Sequence, residues 1–536
     1  MKNNLKLLFS VLIITSSFIF AKIPTAAEMT AAQAVKNSFQ PRQLFKVTYG
    51  RPDQLPNTYI SQEGHFKLHY TTEGTDAVPT ESTNPDNVPD WIYYAAQYAE
   101  RAWFVLIDSI GFDVPPMDGV DGDEFDIYFV NLYGNYYANT YPENPVTETS
   151  RQYDYTAYQE IDNDFVESRY FTNGYDALKV TIAHEFFHVV HLGYGWNTNN
   201  HLTRMSQGDR FLLEWSSTWY EDFSYPEVND YINYATSFSY SPDDNIWSST
   251  YWYSHGIFMK FMIDNYGTDF LVKSFDKIKT GQRAFYALQE AIREETNTTL
   301  SILYNEYCQR MYFSGSKYDT HLSVSTDAQF FPNLRIDWVN RYEYSEFLEV
   351  SNAVTAFSTL PLVVSFSEAQ HFGLLENKDF SGKFIGSYIF QDKAEKLLNQ
   401  FNLNDDQYIA KSSAGDTLML FITNKSEEVN ENFTFTIDFV EPVNIMAINN
   451  LFPNPVDGNG NLTLNISSSE TTEEIKVSVY NLLGQPVFRK IFPKNHNNLY
   501  HISLSNDISY SLASGIYILK VRADGKEKYI KFTILK

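Results

Sequence analysis

One cysteine, Cys308, occurs among 536 residues, so the chain can form no internal disulfide. Stability outside a reducing compartment then rests on the size of the core and on any bound metal. Cys308 falls in LYNEYCQRMYF, where the apolar spacing predicts a helix and no neighbour in sequence supplies a base. It reads as a small core residue rather than a nucleophile. Basic residues are also scarce: 40 Lys and Arg stand against 66 Asp and Glu, a net charge of -26. There is no Lys/Arg-rich run. A field of that sign repels phosphate backbones and anionic membrane surfaces and attracts cations, so no nucleic-acid partner is expected. Long apolar runs are missing beyond the N-terminus. The one present, Leu7 to Phe20, follows Lys2 and Lys6 and precedes Ala21. It is too short to span a bilayer comfortably and has the layout of a secretory signal over residues 1–21. No membrane span is expected in the mature protein.

What the chain has in quantity is aromatic side chains, 39 Tyr and 41 Phe, within a hydrophobic content of 43%. That composition belongs to a globular protein of roughly two to four domains. Residues 22–58 have weak periodicity and read as a propeptide or an N-terminal arm. From residue 59 the signals strengthen. HFKLHY, FDIYFV and YTAYQEID alternate as strands, and VPDWIYYAAQYAERAWFVLIDSIG reads as a helix ended by Gly111. ALKVTIAHEFFHVVHLG, DRFLLEWSSTWYEDF, YWYSHGIFMKFMIDNYG, RAFYALQEAIREE and LSILYNEYCQRMYFSG continue as helices. Strands first and helices after predict an α+β unit over 59–334. Short strands between turn residues then predict a β-sandwich over 335–442. A second all-β, sandwich-type unit over 446–536 is entered through the turn-rich NNLFPNPVDGNGN.

The chemistry concentrates in VTIAHEFFHVVH. Residues four apart on a helix share one face, so His184 and His188 can both reach one metal ion, with Glu185 beside them. Zinc held by three protein ligands keeps an open position, where it polarises a carbonyl and activates water. Glu185 is placed to accept the water proton as general base. Chance gives this motif on the order of once in a hundred sequences of such composition, and its apolar helical setting sharpens it. The third ligand is expected from the next helix: Glu214 sits in an apolar face where an unpaired carboxylate is costly. Glu221 or Asp222 is the fallback, and Glu221, two turns on, also suits a carboxylate that holds a ligand histidine in its tautomer. His191 is one turn beyond His188. Three ligands on consecutive turns of a straight helix converge poorly, so His191 is assigned to ligand support or to the cleft wall. An oxyanion donor is expected from Tyr251, Tyr253 or His255, which sequence alone does not rank. The acidic run DGVDGDEFD offers Asp118, Asp121, Asp123 and Asp126 as oxygen ligands for Ca2+, although a solvated turn is the preferred reading; NPDNVPD and EIDNDF are similar cases.

Two resemblances attach to these blocks. AHEFFHVVHLGY followed by LLEWSSTWYED resembles the gluzincin arrangement, in which a second helix supplies a glutamate ligand. The run from HFKLHY through VPDWIYYAAQYAE, GDEFDIYFV and IDNDF, over roughly residues 60 to 320, is similar to a family of secreted bacterial metalloproteases. These imply a zincin-like catalytic domain with His184, His188 and Glu214 on one catalytic Zn2+ and Glu185 as base. Trp215 stands where some gluzincins have Gly, and His191 where related sequences carry Gln. FPNPVDGNGNLTLNI, VSVYNLLGQPVFRK, LASGIYILKV and KFTILK resemble the type IX secretion sorting domain. That implies export through Sec and then the type IX machinery, to the medium or the cell surface. The expected function is a secreted zinc endopeptidase acting on protein or peptide. The competing expectations are a surface or secreted binding protein for glycan or protein with a degenerate metal site, and a zinc hydrolase of another substrate.

Overall fold

The computed structural model describes residues 51–117, 119, 122–146, 155–195, 210–336, 341–344, 347–366, 370–375, 380–392, 397–402, 407–412, 414–439, 447–452, 456–457, 463–467, 474–493, 499–503, 512–523 and 526–535. The signal over 1–21, most of 22–58, and Asp118 and Asp121 of the acidic run lie outside the described residues.

The first unit is built on one sheet in the order β1-β2-β3-β5-β4. β1 (Asn57–Ile60) pairs antiparallel with β2 (Phe66–Tyr70), and β2, β3 (Phe125–Val130) and β5 (Tyr155–Asp162) run parallel. β3 is central and buried on both faces, which suits its nearly continuous apolar run. β4 (Ala138–Pro145) closes the edge, antiparallel to β5 with Thr140 opposite Gln159. It carries Pro142 and Pro145, and an edge is where a sheet tolerates residues without an N–H. β1 spans the expected boundary at residue 58 and pairs with β2 over Asn57–Ile60.

The helices follow in chain order as α1 (Asp90–Trp103), α2 (Gly174–Gly193), α3 (Phe211–Ser224), α4 (Ala235–Tyr240), α5 (Gly256–Tyr266), α6 (Asp269–Lys279), α7 (Ala284–Thr296) and α8 (Leu300–Met311). α1 lays Trp91, Ile92, Ala95 and Ala99 into the core, then widens over Phe104–Ile110 and stops at Gly111, whose φ of 95° only glycine adopts freely. α2 is buried almost all round from Ala177 onward and packs against α1, α3, β4 and β5. An apolar sequence on every face makes it the central helix, and its polar residues are therefore enclosed. α5 starts hard against α3: a Cβ on Gly256 would come within 2.7 Å of the Thr218 side chain. That close approach brings the segment before α5 up to the helix carrying Glu214.

The described strands between residues 341 and 439 form two antiparallel-rich sheets in a sandwich-like arrangement. One sheet packs on α8. Asn305 Nδ2 donates to Phe421 O at 3.0 Å and to Thr423 Oγ1 at 2.9 Å, and Gln309 Nε2 donates to Tyr388 O at 3.1 Å. Phe357, Val363, Ile389, Met419 and Phe421 join the same hydrophobic cluster as the helices, so the change at residue 335 is one of secondary structure and not of core. Cys308 is buried in that cluster and is a free thiol. Two further sheets, between Ala447 and Leu535, enclose a separate small core that includes Leu464, Val477, Leu519 and Phe532.

Candidate metal centre

α2 and α3 face each other with their polar residues turned inward. His184 and His188, one turn apart, set their rings edge to face at 4.7 Å between centroids. Glu214 reaches them from the first turn of α3. Its Oε2 lies 3.3 Å from His184 Nε2 and 3.7 Å from His188 Nε2. The ligand atoms of these three residues all fall within 4.8 Å of one another. Glu214 is 3% exposed, and its Oε2 is buried without a hydrogen bond. A carboxylate oxygen so enclosed is costly unless a cation sits with it. Two imidazoles and one carboxylate are a donor set that suits zinc.

Behind the ligands stand supporting groups. His184 Nδ1 is 2.5 Å from Glu221 Oε1, which leaves Nε2 for a metal. His188 Nδ1 has His191 Nδ1 at 3.2 Å and Ser217 Oγ at 3.4 Å. His191 Nε2 meets Ser216 Oγ at 3.0 Å, and that hydroxyl donates to Leu212 O at 2.6 Å. The His191 ring is stacked between Phe187 and Phe275, away from the ligand atoms. Asp222, the fallback ligand, pairs instead with Lys260 Nζ at 3.0 Å.

Glu185 lies beside the ligands and is buried. Thr140 Oγ1 on β4 is 2.6 Å from Glu185 Oε2. Burial raises the Glu185 carboxyl above its ordinary value, and His184 and Thr140 counter this in part. Burial alone would lower His184, but Glu214 and Glu221 outweigh it and hold the imidazole well above its usual range. Burial takes His188 down to about 4 against the opposing pull of Glu214. Glu214 would rise through burial, yet His188 and His184 hold it below its ordinary value. Burial lifts Glu221 to about 7.

The three oxyanion candidates separate. Tyr253 stacks over His184 at 6.1 Å and on Tyr234 at 5.1 Å. Beside the ligands, the charge on Glu214 is the first cause that raises its hydroxyl well above the usual phenol range, with burial second. Tyr251 and His255 do not reach the site. They stack on one another at 4.7 Å inside the core; Tyr251 OH accepts from Asp244 N, and His255 Nε2 meets Tyr304 OH.

The acidic run over Asp118–Asp126 needs a correction. Asp126 is 1% exposed on β3, and its carboxylate pairs with His69 Nε2 at 2.6 Å and with Arg51 Nη1. Asp123 is exposed, and neither belongs to a metal-capable group among the described residues. β3 carries Asp126 into the sheet, out of the turn. The remaining acidic group is Asp162, Asp164 and Glu167. There Asp162 accepts from the main-chain N–H of Leu132, Asp164 and Phe165, so it fastens a loop. Sequence reasoning missed Thr140, Ser216 and Ser217. The motif demands partners for its side chains but does not say where they sit in the chain.

Residues 450–536 match the secretion system C-terminal sorting domain. The C-terminal unit is thus a type IX sorting domain, and the chain is exported by that route, secreted or attached at the cell surface. Among the described residues no helix is long and apolar enough to cross a membrane. No curated protein matches the chain. Among solved structures, PorZ of the type-IX secretion system of Porphyromonas gingivalis is 14% identical over 19% of this chain and 14% of its own, with a TM-score of 0.13. Dimeric latent PorU from Porphyromonas gingivalis is 14% identical over 37% of this chain and 19% of its own, with a TM-score of 0.18. The adhesin domain of Epf from Streptococcus pyogenes is 13% identical over 35% of this chain and 76% of its own, at 0.13. Likenesses this slight carry no inference about fold or activity.

Proposed function

We propose that the protein is a secreted zinc-dependent peptidase of the gluzincin type with a zincin-like catalytic unit, acting as an endopeptidase on protein or peptide. The observation that supports it most is the convergence of the buried Glu214 Oε2 with the Nε2 atoms of His184 and His188, at 3.3 and 3.7 Å. His184, His188 and Glu214 would hold one zinc ion, and bound zinc would polarise the substrate carbonyl and make water nucleophilic near neutral pH. Glu185 takes the proton from the attacking water and returns it to the leaving amine. A carboxyl raised by burial suits that exchange. Tyr253 donates to the developing oxyanion. β4 pairs on one side only among the described residues, and an extended peptide added to its free edge would pass beside Glu185.

The test is zinc content of the purified full chain, with cleavage of labelled casein before and after chelation, alongside Glu185→Gln. The expected result is one zinc per chain, chelator-sensitive cleavage, and a variant that keeps zinc and loses turnover. Turnover retained in Glu185→Gln sinks the mechanism. Zinc without cleavage of casein or of a broad peptide library moves the reading to a binding protein or to a hydrolase of another substrate.

A further inference from the structure

Thr140 is the one residue of the edge strand whose side chain bonds the carboxylate of Glu185 among the contacts described. It is 3% exposed, and Oγ1 lies 2.6 Å from Glu185 Oε2 and 3.1 Å from Glu185 O. A hydroxyl has one proton to give. The Glu185 carbonyl sits in mid-helix and takes the bond of its own turn, so the proton belongs to the shorter contact with Oε2. Oε2 is thereby tied down. A glutamate has three side-chain torsions, and one fixed oxygen removes the last of them as a free variable.

The same threonine sits in the middle of β4, opposite Gln159 on β5. Its neighbours Asn139 and Tyr141 stand opposite Glu160 and Tyr158 in the same strand pair, on the strand that the proposed substrate path follows. A shift of this strand moves the hydroxyl, and with it the oxygen that the base has committed to Thr140.

From this juxtaposition we propose that Thr140 is the positioning residue of Glu185, fixing Oε2 so that Oε1 is the oxygen turned to the attacking water. The proposal rests on the peptidase reading. Thr140 touches no substrate and acts only through Glu185. A purely structural bond between sheet and helix is the alternative, and it makes a different forecast, since losing it would lower stability and leave turnover per folded molecule unchanged.

The experiment compares zinc-loaded full chain with Thr140→Val, which keeps the shape and removes the hydroxyl, and Thr140→Ser, which restores it. The probe is labelled casein. Expected for Thr140→Val is a fall in kcat of about 10- to 100-fold, with KM within about 2-fold and zinc still one per chain. Thr140→Ser recovers most of the loss. Thr140→Ala, which only removes atoms, replaces Val if that variant does not fold. Unchanged kcat in the hydroxyl-free variant, or a change confined to KM, overturns the proposal. A crystal structure of each zinc-loaded variant reads the same point without turnover: the Glu185 carboxylate keeps its orientation with Ser and leaves it with Val or Ala. An unmoved carboxylate overturns the proposal as well. Should the wild type cleave nothing while the carboxylate still follows the hydroxyl, the peptidase reading fails and the positioning role stands.

Discussion

His184 Nδ1 lies 2.5 Å from Glu221 Oε1, and Glu221 stands two helical turns beyond Glu214 on the same face of α3. One helix therefore offers a carboxylate to each nitrogen of the same imidazole, Glu214 on the Nε2 side and Glu221 on the Nδ1 side. With Nδ1 committed to Glu221, the lone pair of the metal-binding tautomer is on Nε2. Glu221→Ala removes that constraint. Zinc affinity is expected to fall about 10- to 100-fold, measured by competition with a chromogenic chelator. An unchanged affinity would mean that packing alone orients the ring.

Metal uptake carries a pH signature. In the metal-free protein burial lowers His184, but its two glutamate partners hold it well above its ordinary value, so the imidazole keeps its proton more tightly than a free one. Zinc needs that nitrogen unprotonated. Binding at pH 7 therefore releases protons, and affinity rises as the solution becomes more basic. Calorimetry in two buffers of different ionisation enthalpy reads the number released; zero net release contradicts the assignment. The sign for stability without metal is separate. Glu221 moves from its ordinary 4.5 to about 7 through burial, a raised carboxyl. Its contribution is present below pH 4.5 and is lost as pH climbs to about 7.

The tyrosine pair offers a controlled comparison, because the two residues lie two apart and do different things. The Tyr253 ring lies beside His184, whereas Tyr251 is enclosed with its hydroxyl accepting from Asp244 N at 3.1 Å. Tyr253→Phe is expected to lower kcat on casein about 100-fold with little change in KM, the scale of a lost oxyanion donor. Tyr251→Phe should cost about 1 kcal/mol of stability, read by denaturant titration, through the unsatisfied Asp244 N–H. Equal kinetic losses in both variants would remove Tyr253 from the catalytic set.

The candidate metal helix is readable from sequence because its signal is local. An i, i+4 histidine pair shares a face by helix geometry alone, and an enclosed glutamate on the next helix announces its own need for a partner. Thr140 is not readable in this way. Its strand carries Pro142 and Pro145, which argue against a strand until the edge position is known. Tyr253 cannot be ranked from sequence because YWYSH is a tight run where a small rotation selects the ring that faces α3. The close approach of Gly256 to Thr218, just after that run, joins residues far apart in the chain. Asp126 shows the converse: a cluster of acids in sequence dissolves when β3 takes one of them into the sheet beside Arg51 and His69. The strands of the sandwich are legible as strands, but their shared core with α8 depends on a packing face that periodicity does not assign to a partner.

That shared core yields a prediction about cooperativity. Asn305 on α8 is 2% exposed, and its amide donates to Phe421 O and Thr423 Oγ1 of the sandwich. Tyr312 OH donates to Gln391 Oε1 at 2.6 Å along the same seam. Asn305→Ala leaves those acceptors enclosed without a donor and opens a small void, at a cost of about 2 kcal/mol. If the helices and the sandwich melt together, the loss appears as one transition shifted down by about 2 to 3 °C, followed by calorimetry and by tryptophan fluorescence. Trp215 and Trp219 lie on α3, the helix of Glu214, so their signal reports the helical unit. A fluorescence transition that stays in place while a second calorimetric peak moves would show two independent units, with the seam no more than a surface contact.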